Sequence, residues 1–369
     1  MKVLSLSACG LVLLALTQSC GPARAAESLT ELTTGGLDFN KAPGSAPVVL
    51  ESEDVAVSLA RVRFKYRLST PGPAPVRVEA TFHYPDLDFS DPDASYAIPG
   101  SDPVNFLDAK LKIAGAPSAM TMSQTATLDD KNVTRALATA GLPLVPVGDF
   151  QSRLAAAAQP LRQSLEAGGL IKEVGTTAAG EPLLFPTWTV KTVGVFTMML
   201  QPAKPVEIEL AYRPSVGLRP DSFLRKALRD NKNIGADAAE QMRMFCSDPA
   251  FLRGVDAIAG AGEANVARIR ELRIRILLRN PPAPPMAAFA YRLSVDKGKA
   301  SRIVSFCAQN LIKTSPTTFV ANMSNYVPQP DLNLLMIEGE APPSVDQAPR
   351  RPASPKPAPH PAGRGVSGQ

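Results

Sequence analysis

The chain has 369 residues, 45% of them hydrophobic and 20% charged, with a formal net charge of +5. That is enough apolar material for a sizeable core, in one large domain or two smaller ones. The charge excess is mild, so it bears on solubility and weak attraction to anionic surfaces and argues against a dedicated nucleic-acid partner. Proline is abundant at 36 residues and aromatics are sparse at 6%. With many β-branched residues, this favours short strands and loops over a helical bundle.

Residues 1–25 read as a secretory signal. Lys2 supplies the positive end, Val3 to Leu16 an apolar run too short to span a membrane, and Ala23-Arg24-Ala25 a small-x-small cleavage site. The mature chain then starts near Ala26. A rival route is lipidation at Cys20, for which Thr17-Gln18-Ser19 is a poor match because Leu usually stands three before the cysteine. No later stretch reaches about 18 consecutive apolar residues, so no transmembrane helix is predicted.

The N-terminal region, 26–128, reads as β-sandwich-like. After a polar arm to Pro47, Glu51 to Asp54 open a strand in which Val62, Phe64, Tyr66 and Leu68 alternate with Arg61, Arg63, Lys65 and Arg67. Thr70-Pro71-Gly72-Pro73 ends it, and Val76, Val78, Ala80, Phe82 and Tyr84 return as the second arm of an expected hairpin. A third strand is expected over Asn105–Ile113 and a fourth over Ala119–Leu128. From 129 to 184 the period changes to that of a helical insertion. One helix is expected from an Asp130 cap to Ala140, and another from Asp149 to Ala167, broken at Pro160.

The region 185–340 is again β-rich with short helices. Its centre is the stretch Phe185–Gly217, which holds the only Trp, Trp188. Val190, Phe196, Met198 and Leu200 share the parity of Trp188. After Gln201-Pro202-Ala203-Lys204-Pro205, residues Val206, Ile208, Leu210 and Tyr212 alternate with Glu207, Glu209 and Arg213, which predicts a long hairpin. Short helices are expected over 221–230, 236–245, 250–259 and 264–272, then strands over 273–279, 289–295, 303–307, 317–323 and 332–337. From 341 to 369 the chain is Pro-rich and basic, with almost nothing to bury, and is expected to be disordered or polyproline-like. The fold class is therefore mainly β, with β-sandwich-like antiparallel sheets and a helical insertion, α+β overall.

Removing the signal leaves Cys246 and Cys307. In an oxidising compartment an even pair reads as one disulfide, worth on the order of 3–4 kcal/mol by the chain-entropy model; the alternative is two buried free thiols. The remaining histidines are His83, on the polar face of a strand, and His360, in the tail. No HExxH, CxxC, GxSxG or Walker A pattern occurs. Asp86, Asp88, Asp91 and Asp93 crowd one loop in a way that suits Ca²⁺, although the EF-hand glycine and glutamate are missing and a solvated loop explains them as well. Arg61, Arg63, Lys65 and Arg67, joined by Lys110 and Lys112, form a candidate patch for an anionic partner; the plainer reading is a charged wet face that resists aggregation.

Several short runs resemble a family. They are Ser52-Glu53-Asp54-Val55, Tyr84-Pro85-Asp86-Leu87-Asp88-Phe89, Asn105-Phe106-Leu107-Asp108, Trp188-Thr189-Val190-Lys191-Thr192 and Tyr212-Arg213-Pro214-Ser215-Val216-Gly217. Phe245-Cys246, Asp248-Pro249-Ala250-Phe251-Leu252, Val295-Asp296-Lys297-Gly298, Val304-Ser305-Phe306-Cys307 and Ser315-Pro316-Thr317 follow in the same order. With these the chain resembles the bacterial exported proteins known as domain of unknown function 4424. One segment departs: Val193 to Met199 stands where the family is aromatic and acidic. The resemblance implies an exported β-rich domain and pairs the two cysteines, and it supplies no activity.

The functional expectation is a periplasmic or secreted, non-catalytic binding or envelope-interaction module. It needs no cofactor and has an envelope component, a protein or an anionic surface as partner. The alternative is a hydrolase run by carboxylates alone, such as Asp86, Asp88 and Glu53, since paired carboxylates can do acid–base work without histidine.

Overall fold

The computed structural model describes residues 28–41, 44, 46–91, 94–176, 180, 182–260, 269–278 and 288–339. The expected signal, Cys20, Asp93, the start of the 264–272 helix and the Pro-rich tail with His360 lie outside the described residues.

The N-terminal arm is not free. It forms β1 (Thr33–Gly35) and β2 (Leu37–Lys41), which enter two different sheets. The first long strand is two strands, β3 (Val49–Ser58) and β4 (Val62–Ser69), joined by a turn in which Ser58 Oγ accepts from Arg61 N. Next come β5 (Val76–His83), β6 (Leu87–Asp88), β7 (Lys110–Ile113), β8 (Ala116–Ser118), β9 (Thr121–Leu128) and β10 (Lys131–Asn132). The expected third strand is shortened because Asn105 pins a local turn: its side-chain oxygen accepts from Ala109 N at 2.7 Å. The helix expected from Asp130 starts later, as α1 (Thr134–Thr139), because Asp129 and Asp130 take positive φ in the β9–β10 turn.

The second predicted helix is two, α2 (Phe150–Ala156) and α3 (Gln159–Ala167), with Pro160 in the first turn of α3, where its missing N–H does no harm. Then follow β11 (Ile171–Thr176), β12 (Pro182–Pro186), β13 (Thr189–Leu200), β14 (Val206–Tyr212) and β15 (Gly217–Arg219). The short helices are α4 (Lys226–Arg229), α5 (Gly235–Met244) and α6 (Pro249–Ala259). The last strands are β16 (Ile269–Leu277), β17 (Ala288–Asp296), β18 (Ile303–Ser305), β19 (Ile312–Lys313), β20 (Thr318–Tyr326) and β21 (Asp331–Gly339). Residues 269–272, expected to be helical, are therefore strand: Ile269, Glu271 and Arg273 are buried at period two.

The mainly β expectation holds, but both predicted hairpins are arches. β4 pairs with β3 and β14, whereas β5 pairs with β2 and β13. Likewise β13 lies in the sheet ordered β10-β9-β13-β5-β2, and β14 in the sheet ordered β19-β20-β17-β3-β4-β14-β7-β8. Each connection carries the chain from one sheet to the other, and the two arches stack so that each strand's partner comes from the other arch. The connections are rich in proline (Pro71, Pro73, Pro75; Pro202, Pro205), which removes the N–H groups a tight hairpin turn would use. The alternation is real: Val62, Phe64, Tyr66 and Leu68 are buried, but against a facing sheet. Phe82 and Tyr212, from opposite sheets, have ring centroids 5.4 Å apart, and Phe39 and Tyr66 5.0 Å.

A third sheet, β1-β16-β21-β18 with β15 beside β16, is buried on both sides. Leu334 and Met336 belong to the sandwich core, while Leu335 and Ile337 pack with Phe245, Phe251 and Val255 under α5 and α6. This explains the continuous apolar run there. Trp188 is fully buried, and its indole N–H donates to Leu144 O at 2.7 Å, which ties the helical segment to the sandwich.

Candidate functional site

Cys246 and Cys307 are joined, with Cα atoms 5.1 Å apart. Cys246 sits just past α5 at φ 51°; Ser247 N–H bonds to Met242 O and Cys246 N–H to Arg243 O, the Schellman pattern with cysteine where glycine is usual. The bridge forms one wall of a cavity of about 330 Å³ whose lining includes Tyr291, Leu293, Phe306, Met323 and Leu332. A neighbouring depression of about 680 Å³ shares Tyr291, Gln309, Met323 and Tyr326 with it, and adds Glu53, Asn310 and Asn322. The Tyr291 and Tyr326 rings lie 5.1 Å apart.

Sheet register explains the floor. Tyr66, Glu53, Tyr291 and Met323 are lateral neighbours across β4, β3, β17 and β20. Glu53 shares the inward parity of Val55 and Val57 and is only 5% exposed. Burial pushes its carboxyl up to about 8, so at neutral pH most of it is a neutral acid and a hydrogen-bond donor. Burial first and the Glu53 charge second push the Tyr291 hydroxyl above the ordinary tyrosine range. That hydroxyl is buried and has no hydrogen-bond partner among the described residues. A buried polar atom left unpaired costs about 1–3 kcal/mol.

The basic stripe is charge-paired. Arg63 lies 3.7 Å from Asp54, Lys65 3.1 Å from Glu207, Arg67 2.7 Å from Glu51, Lys110 3.4 Å from Asp108 and Lys112 3.3 Å from Glu209. Arg61 falls in the turn before β4, exposed. In register, basic β7 and β4 flank acidic β14, so the signs alternate across the face. Carboxylates thus offset five of the six basic side chains. We expect the protein not to be retained on vesicles rich in anionic lipid at physiological salt; retention abolished by Lys65→Glu would support the anion-binding reading.

The loop aspartates are employed separately. Asp86 lies 3.7 Å from Lys191, and Asp88 accepts from Ser90 N at 2.9 Å. Among the described residues, Asp91 included, no three ligating side chains gather at a metal-sized site. Asp86 also borders a cleft of about 340 Å³ with His83 and Asp38, whose side chains approach to 3.4 Å. Glu53 borders a different cavity, so the structure does not bring the three carboxylates of the hydrolase alternative together.

Most of the short family-like runs do local structural work. Asp248 caps α6 by accepting from Phe251 N, Ser215 Oγ accepts from Leu32 N, Asp296 closes a turn on Gly298 N, and Ser315 Oγ accepts from Thr318 N. Ser52-Glu53-Asp54 is the run that borders the large depression. In sequence it reads as a strand opening; the signal that could have found it is an acid at inward parity. Tyr326, Met323 and Gln309 carry no signal of their own, because their meeting with Glu53 depends on strand order.

A family model described as a domain of unknown function (DUF4424) matches residues 25–335. Among curated proteins, none matches. A crystal structure from Legionella pneumophila, described as that of a "putative nutrient binding protein", aligns at 9% identity and a TM-score of 0.39, covering 84% of this chain and 72% of that one. A likeness so distant carries no argument.

Proposed function

The chain belongs to the DUF4424 family, and from that membership, which brings no activity with it, we propose an exported, non-catalytic binding module whose ligand seats in the joined depressions around Tyr291 and Tyr326. The observation that carries this is the concavity itself, with Tyr291 and Tyr326 on its aromatic side, Gln309, Asn310 and Asn322 as amide walls and a largely neutral Glu53 in its floor. Concave, largely apolar sites with a few convergent polar groups are where ligands bind. The charges at the rim, Arg292 and Asp54, lie 4.0 Å apart and offset each other, which favours a ligand without strong net charge. A disulfide between Cys246 and Cys307 supports an oxidising compartment, periplasmic or extracellular.

The test places a photo-crosslinking amino acid at Asn322 or Gln309 in the protein made by its own host, with Glu209 on the charged face as control. A discrete adduct at the rim positions and none at the control is expected. Absence of any rim adduct, with the protein folded and exported, would remove the reading.

A further inference from the structure

Among the described residues β20 has a strand partner on its outer side for only part of its length. It runs nine residues, and β19 covers it only at Phe319 and Val320. From Ala321 to Ser324 its outer side meets no strand among the described residues, and Asn325, at φ 50°, breaks the extended run before Tyr326. That stretch, Ala-Asn-Met-Ser, has no charge and no proline. Natural sheets shorten or guard their edges, because unpaired N–H and C=O groups template another strand. Some other edges here are guarded, since β8 is three residues with Pro117 at its centre and β2 ends at Lys41, while β9 beyond its two-residue pairing with β10 leaves a second bare run, Thr121–Thr125, among the described residues.

The uncovered part of β20 borders space. Asn322, Met323, Ser324 and Tyr326 line the depression of about 680 Å³, with Gln309 and Asn310 also on its rim. Met323 and Tyr326 also line the deeper apolar cavity beside the disulfide. We infer that β20 accepts an extended peptide segment of a partner protein as an added strand, with one apolar side chain of that segment seated in the Tyr291–Met323 cavity. Backbone groups repeating along an edge are matched by another extended backbone, and successive side chains then point to opposite faces. The chain's own tail is a poor occupant, because its repeated prolines lack the N–H groups that pairing needs. A second copy pairing through β20 would supply Met323 and Tyr326 to a cavity already lined by them. The inference rests on the binding-module reading and gives that site its ligand class.

The experiment uses the mature full-length protein and a synthetic library of hexapeptides with alternating apolar and polar residues. Amide hydrogen exchange is followed along the chain. A binding peptide should slow exchange within 321–324, and methylating its edge-facing backbone nitrogens should weaken it about tenfold per position. Met323→Arg should weaken it comparably, and the N-methyl series stands even if that variant fails to fold. Binding indifferent to N-methylation, or protection elsewhere, overturns strand addition. No peptide binding, with a glycan or lipid captured by the rim crosslinker, overturns the peptide ligand and leaves the binding module; no adduct of any kind removes both. Protection within 321–324 that rises with protein concentration, together with a doubled mass, makes a second copy the occupant and overturns the partner peptide.

Discussion

Glu53→Gln is expected to stabilise the protein at pH 8 and to flatten its stability profile between about pH 5 and pH 8. The ordinary carboxyl value is 4.5, and burial raises Glu53 to about 8 in the folded chain. Below pH 4.5 both states hold the proton and the group is neutral in its effect. Between the two values the unfolded chain releases the proton and the folded chain keeps it, so stability falls as pH rises. The fall levels off above pH 8, after a loss of up to about 5 kcal/mol. Glutamine keeps the shape and removes the titration. Denaturant melts of both proteins at pH 5, 7 and 9 check this. Profiles that run parallel would mean that the folded state ionises Glu53 without penalty. The acid limb has a different origin. Burial pushes the Glu338 carboxyl up, but the hydrogen bonds and charges of Arg302 and Lys299 together outweigh it and hold that carboxyl below its ordinary value. Its contribution is therefore lost only as pH falls through the low carboxylate range.

Removing the disulfide should cost about 4 kcal/mol in the chain-entropy model, given that its cysteines lie 61 residues apart. The double variant Cys246→Ser with Cys307→Ser leaves position 246 without a tether while still demanding a left-handed backbone at the end of α5. Cys246→Gly with Cys307→Ser should recover about 1 kcal/mol of that loss, because glycine adopts positive φ freely. Unfolding with and without reductant, across the wild type and both doubles, gives the comparison. An unchanged midpoint on reduction would show the bridge to be idle in folding. Because the bridge walls the cavity beneath β20, reduction should also weaken any ligand seated there.

Much of the fold could be read from periodicity, which reports the face a side chain takes and nothing about its neighbour strand. The inward rows of β4 and β13 were therefore legible, and their pairings were not: an arch and a hairpin have the same alternation. Pro71, Pro73 and Pro75 punctuate the chain in either case, although three missing N–H groups in so short a turn already tell against a closed hairpin. The same blindness applies to the charged face. Arg63, Lys65 and Arg67 were visible as a stripe, but their carboxylates come from β3 and β14, and the pairing follows from strand order. For the candidate site the legible part was one residue, Glu53, out of phase with the rule that acids face water. Its companions arrive from β17 and β20, more than half the chain away.

The parallel contact between β3 and β17 bears on how the molecule is made. Ser294 Oγ reaches Val55 O at 3.5 Å, across 239 residues of chain. A polypeptide delivered N-terminus first, from ribosome or translocon, presents β3 and β4 long before the strand that must lie beside them. Until β17 emerges the larger sheet cannot close, and the flank of β3 stays adhesive. Non-local pairing of this kind makes folding slow and leaves intermediates prone to association. Truncation anywhere before Tyr326 should yield an aggregating fragment rather than a smaller folded unit.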